Sequence, residues 1–192
     1  RAGTAGLPLP GGEVIVTDPS TGKVLQDGRT GMIEIRGPNV FKGYWGMPEK
    51  TAEELRENGF FITGDLGTIG EDGYVSLVGR SKDLIISGGY NIYPKEIELL
   101  LDSIEGVFES AVIGVPHPDL GEAVVAVIVT ESGISLNQES IMDPMQNRIA
   151  RFKHPKQIFF IDELPRNSMG KVQKNVLRES YPDIFNNKTD TE

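Results

Sequence analysis

Cysteine is absent from this chain. That absence excludes a disulfide framework, a thiolate metal site and a cysteine nucleophile, and it fits a reducing compartment, so a cytoplasmic location is expected. Histidine is scarce as well: His117 and His154 each lie beside a proline, show no ligand or dyad spacing, and are assigned no role. Positive charge is in short supply, with 19 lysines and arginines against 28 acids and a net charge of −9. A field of that sign repels phosphate backbones and anionic lipid, so nucleic acid is not an expected partner. Long hydrophobic runs are missing too. The longest, Ala123 to Val129, has seven residues, far short of the roughly 20 that a membrane-spanning helix needs. Residues 1–10 lack the charged start and apolar middle of a signal peptide, and the chain begins with Arg1. It reads as a piece of something longer.

What is present is ordinary for a globular protein: 192 residues, 38% hydrophobic and 24% charged, enough for one large or two small domains. Period-two segments at 13–17 and 32–36, separated by the turn Asp18-Pro19-Ser20-Thr21-Gly22, predict antiparallel strands with one wet face. Pro48 opens a helix to about Arg56, with Asn58-Gly59 as its left-handed stop. A strand at 60–62 follows, then a hairpin turning at Glu71-Asp72-Gly73. Alternating charges at Arg80, Lys82 and Asp83 mark a boundary, and beyond it the order is strand, helix, strand, strand, helix, strand, helix. The second helix of the chain runs from Pro94 to Leu101. Residues 108–115 and 123–130 are apolar enough to be central strands covered on both faces. Ser135 with Gln138 forms the expected capping box of a helix to about Ala150, shortened or kinked by Pro144. The last strand and helix fall at 157–161 and 173–181. The fold class is α+β: residues 1–81 form the small β-rich end of a larger domain, 82–185 a compact mobile lid domain, and 186–192 a disordered tail.

Several residues stand out for chemistry, each with a plainer alternative. Asp65 in Thr63-Gly64-Asp65 follows an apolar strand, where a glycine turn presents the carboxylate at the strand's end; a turn aspartate bonding its own backbone fits equally well. Arg80 reads either as one half of an interdomain ion pair or as a ligand for oxyanions, which its planar fork suits. Gly88-Gly89 is a tight strand-to-helix turn on its own terms. Arg151 sits in the one local basic cluster, Arg-Phe-Lys-His-Pro-Lys, whose default reading is a solvated face. Lys171 closes Pro165-Arg-Asn-Ser-Met-Gly-Lys171, which is not a phosphate-cradling P-loop because the first glycine is absent at the required spacing.

Read together, Phe-Ile-Thr-Gly-Asp-Leu-Gly (61–67), Gly-Arg-Ser-Lys-Asp followed by Ser-Gly-Gly (79–89), and Pro165 to Lys171 resemble, in order and spacing, the motifs of the adenylate-forming acyl-CoA synthetases. The resemblance runs the whole length of the chain and implies an ATP-dependent acid–thiol ligase. Asp65 then binds the ribose hydroxyls of ATP, and Arg80 contacts the ribose and phosphate. Lys82 is the hinge. Gly88, Gly89 and Tyr90 border the channel for the pantetheine arm of coenzyme A, with Arg151 a candidate for its phosphates. Lys171 is the catalytic lysine that meets the carboxylate and the α-phosphate. Residues 37–45, 90–96 and 164–178 resemble the malonate-activating members, which makes malonate the expected acid. The implied cofactors are ATP, coenzyme A and magnesium, with the magnesium ligands and acyl pocket upstream of Arg1, and no metal site within the chain. Its partners are the small-molecule carboxylate and the missing N-terminal part of the same chain. Alone, this piece is expected to be inactive. The alternatives are an adenylation domain loading a carrier protein and a non-catalytic nucleotide or coenzyme A binding fragment.

Overall fold

The computed structural model describes residues 3–185; the tail predicted to be disordered, 186–192, lies outside the described residues. The chain divides into two compact units, Arg1–Lys82 and Asp83–Glu192.

The first unit is a four-stranded antiparallel sheet in sequential order: β1 (Glu13–Thr17), β2 (Gly31–Arg36), β3 (Phe61–Ile69) and β4 (Val75–Arg80). Alternation places Val14, Val16, Ile33 and Ile35 with Leu25, Ile69 and Val75 in a small core on one face. The opposite face was expected to be wet, yet Glu34 is fully buried there. Its carboxylate accepts from the Thr17 hydroxyl at 2.6 Å and from Nε and Nη2 of Arg56, each at 2.6 Å. Burial pushes the Glu34 carboxyl up, but the bonds from Arg56 and Thr17 and the charge of Arg56 outweigh it, and the net shift is downward. The pair fixes the chain that returns from α1 (Pro48–Glu54) to β3. That helix ends earlier than the Asn58-Gly59 stop implied, because Leu55 is already extended; the left-handed Gly59, at φ +84°, serves instead the turn that brings Arg56 N–H to Phe60 O.

In the second unit the sheet order is β6 (Tyr90–Ile92), β5 (Ile85–Ser87), β8 (Gly121–Thr130) and β7 (Val107–His117), and β9 (Gln157–Phe160) adds to β8 in parallel. β8 explains the apolar run seen in the sequence. Val124, Ala126 and Ile128 point into a core formed with Ile97, Leu100 and Leu101 of α2 (Pro94–Leu101) and with Ile141 and Met145 of α3 (Gln138–Met145). Val125, Val127 and Val129 point the other way, onto Leu164 and Leu177 of α4 (Lys174–Ser180). A strand buried on both faces needs apolar residues at every position, and each fully buried valine or isoleucine contributes roughly 1.5–3 kcal/mol of transfer free energy. α3 departs from expectation at its start. Its capping box is Asn137 with Ser140, each side chain bonded to the other's backbone N–H, rather than Ser135 with Gln138. It ends one residue past Pro144, well short of Ala150.

The Glu34–Arg56 pair gives a directional prediction. Removing Arg56 strands a carboxylate that is only 1% exposed, whereas removing the charge of Glu34 leaves a guanidinium that is 38% exposed. Arg56→Ala is therefore expected to cost about 3 kcal/mol, and Glu34→Gln, which keeps an acceptor, about 1 kcal/mol. Because the folded value of Glu34 is depressed, its contribution is complete above the ordinary glutamate range and is lost as pH falls through the lowered value. Urea unfolding across an acid series should show that loss in the wild type and a flatter profile in Glu34→Gln. The reverse order of costs, or identical acid profiles, would contradict the assignment.

Candidate functional site

In the first unit Asp65 lies within β3, not at its end, and stands opposite Arg80 of β4 in the ladder. The strand tolerates the motif because Gly64 takes φ +75°, where an L side chain is strained, and because the register shifts on both sides of the segment. Thr63 anchors it, its hydroxyl donating to Ile33 O at 2.8 Å and accepting from Asp65 N–H at 3.1 Å. Arg80 Nε meets Asp65 Oδ1 at 2.9 Å, and its Nη1 donates to Thr63 O at 3.1 Å. The Arg80 side chain is half exposed, so the pair contributes little to stability. What it provides is an acceptor carboxylate and a donor fork held side by side, an arrangement suited to hydroxyls flanked by phosphate.

Lys82 lies in a single 3-10 turn, Ser81–Asp83, and is exposed. Gly88-Gly89 is not a strand-to-helix turn. It is the two-residue turn of a hairpin, closed by the Ser87–Tyr90 pair, with φ +56° and +82° at the two glycines. Two successive left-handed residues are what a twisted hairpin requires, hence the glycines. Gly88 N–H donates to Leu120 O at 2.9 Å, tying this tip to the β7–β8 turn. Tyr90 stacks on Phe152 with ring centroids 4.4 Å apart. Phe152 is the chain neighbour of the exposed Arg151, and Lys153 of the same short turn is paired with Glu96 at 2.6 Å.

Lys171 sits on a small closed loop. A bridge between Arg166 and Val172 shuts its base, and Asn167 organises the inside. The Asn167 side-chain oxygen accepts from Met169 N–H and Lys171 N–H, both at 3.0 Å, while its own N–H donates to Lys171 O at 3.0 Å. Gly170 takes φ +76°. Arg166 donates to Gly170 O at 2.7 Å and pairs with Glu109 of β7. The backbone of Lys171 is thus fixed while its side chain is exposed. Sequence reasoning missed Asn167 and Phe152. An asparagine three residues before a glycine is a turn signal that would have found the first, whereas nothing local pairs Phe152 with Tyr90. Among the described residues no group of three or more histidine, aspartate or glutamate side chains could hold a metal ion.

The family model for the C-terminal domain of AMP-binding enzymes matches residues 96–171, and the model for AMP-binding enzymes matches residues 1–45. The chain belongs to the AMP-binding enzyme family. Feruloyl-CoA synthase of an Amycolatopsis species is 44% identical over 94% of this chain and 36% of its own length. A Geobacillus 2-succinylbenzoate–CoA ligase is 40% identical over 97% of this chain and 37% of its length. Among solved AMP-binding structures, ATP-bound MatB from Rhodopseudomonas palustris is 58% identical, covers 95% of this chain and 36% of its own, and superposes with a TM-score of 0.91. Apo MatB, at the same identity and 96% coverage, gives 0.71. The chain therefore spans a little over a third of the length of these relatives. The mixed fold of antiparallel sheets with few helices is that of the family. No helix among the described residues is long and apolar enough to cross a membrane.

The Asn167 bonds yield a test of the loop. Asn167→Ala removes the acceptor for two backbone donors, and because both are exposed the cost is small, about 0.5–1 kcal/mol. Hydrogen exchange at the Met169 and Lys171 amides should nonetheless accelerate clearly, and Asn167→Asp should keep it slow. Unchanged exchange in the alanine variant would mean that the loop is held by its base alone.

Proposed function

We propose that this chain is the C-terminal part of an ATP-dependent acyl-CoA ligase, with residues 1–81 completing its adenylation domain and 82–185 acting as its lid. The observation that carries this is the closed loop presenting Lys171, an exposed ammonium on a fixed backbone at the end of the matched family segment. In the first step a carboxylate oxygen attacks the α-phosphorus of ATP, the bond to the leaving pyrophosphate breaks, and acyl-AMP forms. Negative charge from the acid and the phosphoryl group converges at that point, and a compact cation neutralises it. Lys171 is assigned that role. Asp65 accepts from the ribose diol, and Arg80 donates to ribose and phosphate oxygens. In the second step the coenzyme A sulfur attacks the acyl carbonyl and AMP leaves. The Gly88-Gly89 tip, with no side chains to obstruct a close approach, is assigned to the pantetheine arm, with Tyr90 beside it and Arg151 for the phosphates. Both named relatives are ligases or synthases of CoA esters, which supports coenzyme A as acceptor.

Lys171 must leave the site for a thiol to enter, and Lys82 is the proposed hinge. Malonate is the proposed acid, on the motif resemblance at 37–45, 90–96 and 164–178. The feruloyl-CoA synthase stands at 44% identity, below the 58% of MatB. Magnesium is proposed to ride on the ATP phosphates, with its protein ligands upstream of Arg1.

The reading is tested with Lys171→Ala in the full-length protein, following pyrophosphate from malonate and ATP, then thioester from presynthesised malonyl-AMP and coenzyme A. Loss of one charged donor at the reacting oxygens should slow the first reaction about a hundred- to thousandfold and leave the second intact. An equal fall in both would sink the assignment of Lys171 to adenylation alone.

A further inference from the structure

α4 is short, yet it carries two cations one turn apart on one side. Lys174, at its first position, places its ammonium 2.5 Å from Glu98 Oε1 of α2, and the two side chains are 17% and 9% exposed. The same carboxylate oxygen accepts from Val112 N–H at 3.0 Å. Val112 lies on β7, which stands at the edge of the sheet, so Glu98 covers a ladder donor that has no further strand to pair with. One turn on, Arg178 Nη2 meets Asp83 Oδ1 at 2.6 Å, with exposures of 30% and 15%. Asp83 is the first residue of the second unit. Between the two cations Leu177, 3% exposed, packs onto the β7–β8 face.

Neither ion pair is explained by stability. Taking an acid and a lysine out of water costs about as much as their attraction returns, and apolar residues at such positions are commonly at least as stable. What charged pairs at these positions do provide is a fixed geometry. Lys174 lies three residues beyond Lys171, and the intervening segment is closed at its base by the bond from Gln173 N–H to Pro165 O at 2.8 Å. The loop that presents Lys171 is thereby fastened to α2, to the edge strand and, through one helical turn, to the residue that follows the hinge position.

We propose that α4 is a strut coupling the residue after the hinge to the Lys171 loop, and that Lys174 and Arg178 are positioning residues for Lys171. This rests on the role assigned to Lys171 above. Through the strut, rotation at Lys82 carries Asp83, α4 and the loop as one body, so the ammonium arrives at or leaves the reacting oxygens without slack.

The test uses the full-length protein with Lys174→Met and Arg178→Met, which keep apolar bulk and remove charge. Lys174→Met should speed hydrogen exchange at loop amides 167–172 while β8 amides keep their protection. Its pyrophosphate-forming rate should fall about a hundredfold, the effect expected of an ångström-scale misplacement, with the KM for ATP little changed and thioester formation from malonyl-AMP retained. Lys174→Arg should restore most of the loss. Arg178→Met should slow adenylation without loosening the loop. If Lys174→Met does not fold, the isosteric Glu98→Gln carries the same expectations. Unchanged loop exchange, or both half-reactions falling by one factor, overturns the strut. If the wild type releases no pyrophosphate with malonate or any other acid offered, the ligase reading fails, and the exchange data still decide whether α4 holds the loop.

Discussion

Every candidate functional segment of the second unit hangs from a strand with no solvent-facing side. β8 buries its even residues under α2 and α3 and its odd residues under Leu164 and α4, so it cannot slip register without exposing one apolar face or the other. Its partner β7 is long, and the pair is in register from the turn at residues 118–120 to Thr130 apart from one bulge near Phe108. That hairpin fixes two remote points. At its tip, Leu120 O holds Gly88 N–H and with it the glycine turn. Along its open edge, Glu109 holds Arg166 at the base of the lysine loop and Val112 N–H holds Glu98. The glycine tip and the lysine loop are therefore both tied to one hairpin.

Two acids among the described residues are buried, against the usual preference of charge for the surface. Glu34 in the first unit is met by Arg56 and the Thr17 hydroxyl, and Glu98 in the second by Lys174 and the Val112 amide, with Lys95 4.0 Å from its other oxygen. Among the described residues no buried side-chain oxygen or nitrogen is left without a partner. Both acids tie a segment that leads into a motif back to a sheet. Glu34 secures the approach to Thr63-Gly64-Asp65, and Glu98 secures the exit from Lys171. Full satisfaction is what makes buried charge tolerable, and it favours one arrangement of the neighbouring chain over others.

Much of this was legible in the sequence, and the limits have physical causes. The two-faced strand was readable because burial on both sides leaves an unbroken apolar run. Pro94 marked the start of α2, since proline suits a first helical turn. The capping box was misplaced by two residues, because Ser135 and Asn137 are both good caps and only packing chooses between them. β6 was not expected: three residues, two of them exposed, carry too little pattern. Asp65 was expected at a strand end because glycine usually punctuates, whereas here Gly64 is absorbed into an irregular strand. The Lys174–Glu98 and Arg178–Asp83 pairs join residues far apart in the chain, and no local pattern encodes such partners.

The central proposal is that Asp65 and Arg80 hold the ribose and phosphate of an acyl-adenylate. Its most direct test is calorimetric titration of the full-length protein with a non-reactive adenylate mimic, malonyl adenosine with a sulfamate in place of the phosphate, in wild type and Asp65→Ala. The account predicts saturable binding by the wild type and an affinity at least about tenfold lower in the variant, as loss of a charged acceptor to the ribose diol requires. Equal affinity in the two proteins, or no binding by the wild type, would contradict it.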